Sequence, residues 1–90
     1  YKKMLKANPK SAEPAFKAAN ILWRNKDYDG AIGFYRQALA IKPDYTEARF
    51  GLGVALKDKG DTEAALVELR KACKDGIKPA CGHVYKLENP

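Results

Sequence analysis

Cys73, Cys81 and His83 crowd into one short stretch and carry the most reactive side chains of the chain. Thiolates and an imidazole are zinc-site chemistry, but a structural zinc takes four such ligands and a fourth is lacking nearby. A nucleophile with a paired general base, or a glycine-rich phosphate loop, would be the other route to chemistry, and neither pattern occurs. His83, the single histidine, reads as a residue on the face of a terminal helix. The carboxylates fall mainly at helix starts and on solvent-facing positions. No catalytic residue, no cofactor and no metal is expected, and the chain reads as something other than an enzyme. The two cysteines are equally far from Ile77, so antiparallel helices turning there would set them face to face. As thiols they would act as small apolar residues.

The elements that must position these residues are short helices punctuated by Pro, Gly and Asp. Residues 1–8 read as the end of a helix closed by Asn8-Pro9. Ser11 is the candidate cap of a helix over about 12–25, and Asp27 caps one over about 28–41. Asp44 with Glu47 forms a capping-box pattern that opens a helix over about 45–58. Gly60 ends that helix, Asp61 caps the next over about 62–75, and Gly76 closes it. Pro79 suits the first turn of a last helix over about 79–87. Connections this short make neighbouring helices antiparallel.

These helices recur with a step of 34 residues. Glu13/Glu47, Phe16/Phe50, Leu22/Leu56, Asp27/Asp61, Ala31/Ala65, Arg36/Arg70 and Ala38/Ala72 are identical at that offset, and Ile32/Leu66 is similar. Tyr1/Tyr35, Leu5/Leu39 and Pro9/Pro43 extend the register upstream. Such a period signals stacked supersecondary units that share one continuous core. The chain reads as one domain over 1–90. Residues 1–11 are the end of a preceding repeat, 12–45 and 46–79 are full repeats, and 80–90 form a terminal helix. Because Tyr1 already falls inside a repeat, the chain is expected to be a piece of a longer array.

At 100° per residue the first helix of each pair has two apolar sides. Ala15, Ala18, Ala19 and Leu22 share one, as do Arg49, Leu52, Gly53 and Leu56. Small residues at Ala19 and Gly53 allow close approach of the paired helix, whose inner row is Ala31, Tyr35, Ala38 and Leu39, or Ala65, Leu69, Ala72 and Cys73. On the other side lie Glu13, Phe16, Asn20, Trp23 and Arg24, and then Glu47, Phe50, Val54, Lys57 and Asp58. A helix that is apolar on two sides needs two neighbours. One is its own partner helix; packing against another repeat would supply the second.

A net charge of +6 attracts acidic groups. Lys2, Lys3, Lys6 and Lys10 crowd the start, while the other basic residues are scattered, mostly beside acids. No nucleic-acid motif accompanies them, so nucleic acid is not an expected partner. With 46% hydrophobic and 31% charged residues, the composition is that of an ordered chain. It contains no apolar run of bilayer-spanning length.

Leu52-Gly53, Leu56, Gly60-Asp61, Ala65, Leu69 and Ala72, with Ala19, Leu22, Asp27-Tyr28, Ala31, Tyr35, Ala38 and Pro43 one unit earlier, resemble the tetratricopeptide repeat. The resemblance covers nearly the whole chain. Its departures are Ala15 and Arg49 where a large aromatic is usual, and Ile77 where Pro43 would recur. It implies an all-α solenoid of antiparallel helix-turn-helix units and a protein–protein interaction module. A peptide or partner segment would lie in the concave groove on Phe16, Trp23, Phe50 and Val54. Asn20 would hydrogen-bond its backbone, and Arg24 and Lys57 would meet acidic groups on it. The alternative is a self-associating or spacer segment of a larger multi-repeat protein. Some relatives grip a C-terminal carboxylate with Lys, Arg and Asn; only Asn20 fits that set, with Phe16, Gly51 and Tyr85 at the other places. The stretch from Ala72-Cys73 to Ala80-Cys81-Gly82 resembles secreted, cysteine-rich Sel-like repeat proteins, which bridge successive helices at this spacing. That implies a Cys73–Cys81 disulfide and a periplasmic or extracellular setting. Two buried thiols in a cytoplasmic protein are the other reading.

Overall fold

The computed structural model of the chain describes residues 12–89. The expected helix end at 1–8 and the Ser11 cap lie outside the described residues. Five helices follow one another: α1 Glu13–Arg24, α2 Tyr28–Ile41, α3 Thr46–Lys59, α4 Thr62–Lys74 and α5 Lys78–Glu88. Each packs on its neighbours in sequence, and α1 also meets α3. The architecture is an all-α helical repeat with no strand among the described residues.

Local chemistry sets the ends of the helices. The Asp27 carboxylate accepts the amide of Gly30 at 3.1 Å and starts α2. Asp61 accepts the amide of Ala64 at 3.3 Å and starts α4. Each satisfies one of the amides that a helix start leaves unpaired. Asp44 does not do the same for α3, which corrects the expected capping box. Tyr45 is the N-cap, without a side-chain bond. Asp44 sits one residue too early for its carboxylate to reach the first free amides, and its carbonyl accepts Thr46 Oγ1 at 3.3 Å instead. Gly60 closes α3 in the left-handed region at φ 106°, a conformation open to glycine without a Cβ penalty. One repeat step earlier the same place is held by Lys26 at φ 65°.

The core is built of small residues facing a few large ones. Ala19, Ala31, Ala38, Ala55, Ala65, Ala72 and Ala80 are fully buried, as is Leu69. Leu69 rests directly on α3 at Gly53, where an added Cβ would lie 2.7 Å from Leu69 Cγ. Gly33, also inside a helix, has open space where its Cβ would be.

The last helix is held three ways. Cys73 and Cys81 form a disulfide between the last turn of α4 and the first turn of α5, with Cα atoms 4.8 Å apart. Closing so short a loop stabilises the fold by about 2.5 kcal/mol in the chain-entropy view. Arg70 pairs with Glu88. The His83 ring lies 5.7 Å from that of Phe50 on α3, and Lys57 Nζ donates to His83 Nδ1 at 3.2 Å. Burial, then the ammonium groups of Lys57 and Lys86, push the His83 pKa down, with Asp58 partly opposing.

Gly33→Ala should stabilise the fold by roughly 0.5–1 kcal/mol through helix propensity. Gly53→Ala should cost roughly 1–3 kcal/mol, because Leu69 has nowhere to retreat. Urea titration of both variants reads the opposite signs. Lys26→Gly relieves a left-handed cost of roughly 1–2 kcal/mol against an added chain-entropy cost of roughly 0.5–1, so its urea midpoint should rise. For His83, folding holds the neutral form and the unfolded chain protonates first as pH falls below 6.5. Its contribution is therefore complete above that pH and declines below it. Between about pH 7.5 and 5.5 the melting temperature of the parent should drop more than that of His83→Phe; equal drops would show that His83 plays no part.

Candidate functional site

Side by side, α1 and α3 leave a hollow between the faces they do not give to α2 and α4. Phe16, Asn20 and Trp23 project into it from successive turns of α1, and Glu47, Phe50, Gly51 and Val54 from α3. Tyr35 reaches it from α2. The cavity measures about 340 Å³, at the small end of ligand pockets.

Its floor is fixed by one core tyrosine. The Tyr35 ring is buried and lies against the backbone of α3, where a Cβ at Gly51 would come within 2.5 Å of it. Its hydroxyl donates to Asn20 Oδ1 at 2.5 Å. Burial pushes the phenol pKa up to about 12, so the group remains a donor at neutral pH. The carbonyl of Asn20 is thereby occupied, and its amide NH₂ keeps donating capacity.

The walls are aromatic. Trp23 Nε1 donates to Asp58 Oδ2 at 2.8 Å, which ties α1 to α3 and fixes the indole while 38% of the residue stays exposed. Phe16 lies 6.1 Å from Tyr35 and 5.0 Å from Tyr45, ring centre to ring centre, in tilted geometry. Burial raises the pKa of Tyr45, and the carboxylates of Glu47 and Glu13 raise it further, with Lys17 partly opposing.

Of the seven residues expected to meet a partner, Phe16, Asn20, Trp23, Phe50 and Val54 line the cavity. Arg24 and Lys57 do not. Arg24 is exposed one residue beyond Trp23, and Lys57 is turned toward His83. The charged residue in the lining is Glu47 instead. Sequence reading placed Tyr35 only on the inner row of α2. The signal that it does more was present: a buried phenol requires a hydrogen-bond acceptor, and the core row itself offers none. Among the described residues no cluster of His, Cys, Asp or Glu is placed to hold a metal ion, and no helix is long and apolar enough to cross a membrane.

The tetratricopeptide repeat family matches residues 22–73, from the last turn of α1 through α4. None of the curated proteins compared with the chain matches it. Repeats of this family act in general as protein–protein interaction modules and are typically non-catalytic. The match takes in more than half of the 90 residues, and the helices it covers pack in antiparallel succession. The chain belongs to the tetratricopeptide repeat family.

Proposed function

We propose that the hollow between α1 and α3 is a docking groove for an extended or helical segment of a partner polypeptide. On this reading the groove crosses two repeats, 12–45 and 46–79, with 1–11 and 80–90 as flanking pieces. The observation that carries it is Trp23. A tryptophan held by a hydrogen bond to Asp58, yet 38% exposed beside an apolar cavity, is the kind of rigid anchor on which binding energy concentrates. Phe16 and Phe50 supply further apolar wall, and the amide of Asn20 can donate to a carbonyl of the guest backbone. A free C-terminal carboxylate is a poor guest, since the cavity lining offers it no basic residue. An internal stretch of the partner fits better.

Selection of a random dodecapeptide library against the chain tests this directly. Bound peptides should change Trp23 fluorescence, and Trp23→Ala should weaken them by roughly thirtyfold, the loss of a hot spot of about 2 kcal/mol. Lys74→Ala, on the exposed end of α4, should leave binding unchanged. Circular dichroism separates lost binding from lost folding. If no peptide depends on Trp23 while sedimentation shows mass rising with concentration, the chain is a self-associating segment and the groove reading falls.

A further inference from the structure

The cavity has a chemical preference that its apolar lining does not state by itself. Phe16, Trp23, Tyr35 and Phe50 all contribute rings to it. Ring faces carry the negative part of the aromatic quadrupole and attract cations. The ionised group in the lining is the Glu47 carboxylate, and it makes no ion pair among the described residues. Asp58 adds a second carboxylate at the Nε1 edge of the Trp23 indole.

Among the described residues, nearby cations are mostly engaged elsewhere. Lys17 pairs with Glu13 at 3.0 Å, Lys57 meets His83, and Lys42 sits 5.1 Å from the centre of the Tyr45 ring. Arg24 is exposed outside the lining. The net charge of +6 acts over the whole surface, but salt screens exposed charges beyond about 10 Å. Within the hollow the nearest groups decide.

Building on the docking groove proposed above, we infer that the group entering the cavity is a cationic side chain of the partner, an arginine or a lysine. An acidic side chain would meet the aromatic rings and the Glu47 carboxylate. A leucine would bury apolar area but would partly desolvate the Glu47 carboxylate with no counter-charge. A guanidinium stacks on aromatic faces and offers its fork of N–H donors to a carboxylate, which makes arginine the better of the two.

The dodecapeptides selected above supply the probe, with Glu47→Gln as the second protein. Glu47 is exposed in the first turn of α3, so the variant should fold. Trp23-dependent binders should share one Arg or Lys. Its replacement by Leu should weaken binding roughly fivefold, the worth of a cation–π contact of about 1 kcal/mol. On Glu47→Gln the same replacement should cost less, because part of the preference is gone. Trp23-dependent binders that share a Leu, Phe or Glu instead, or an Arg whose removal costs the same on both proteins, overturn the cationic guest while leaving the groove standing. Absence of any Trp23-dependent binder overturns both.

Discussion

Two glycines on one helix let the rest of the molecule close. Gly51 and Gly53 lie in the middle of α3, and each takes a large side chain from a different neighbour. Tyr35 of α2 presses on Gly51 and Leu69 of α4 on Gly53, both at distances a Cβ would forbid. Helix axes can approach this far only where one partner has no side chain. The cost is real, since glycine inside a helix loses roughly 1 kcal/mol against alanine. Burying Leu69 completely returns roughly 2–3 kcal/mol, so packing outweighs propensity at that site. Gly33 shows the same cost without such a contact, which sets it apart from the other two.

The Tyr35–Gly51 contact also makes the site. Without it the tyrosine would be a core residue and no more. Pressed through to the far side of the layer, its ring becomes the floor of the cavity and its hydroxyl finds Asn20 on α1. Asn20 is then oriented by a residue of α2, and Trp23 by Asp58 of α3. Two polar side chains facing the hollow, Asn20 and Trp23, are thus held by neighbours other than their own helix. On the docking-groove proposal, ordering them in advance would lower the entropy that binding must overcome.

Much of this was legible in the residues because repetition and helix chemistry are local signals. The 34-residue step aligns Asp27 with Asp61, and both cap helices as their carboxylates suggest. The inner rows of alanine and leucine follow from helical spacing alone. What stayed hidden depends on tertiary geometry. Asp44 fits a cap pattern, but α3 begins at Thr46 and leaves it a residue short. Lys26 holds a left-handed turn that its residue type does not announce. Arg24 and Lys57 share a helical face with Trp23 and Val54, yet a face is broader than a cavity, and their long side chains go elsewhere. For Cys73 and Cys81 the spacing alone left thiols and a bridge open, and the meeting of α4 with α5 joins them in a disulfide.

The placement of Lys57 links the end of the chain to the character of the hollow. Its position on α3 is one turn beyond Val54, within reach of the cavity for a side chain of that length. Its ammonium lies instead at His83 Nδ1, on a helix that the disulfide fastens to α4. A neutral His83 accepts this bond, and burial beside Phe50 keeps it neutral. Lys57 is therefore absent from the cavity lining, whose charged residue is Glu47. The staple between α4 and α5 therefore does more than extend the stack. It fixes the helix that carries His83, the partner of Lys57.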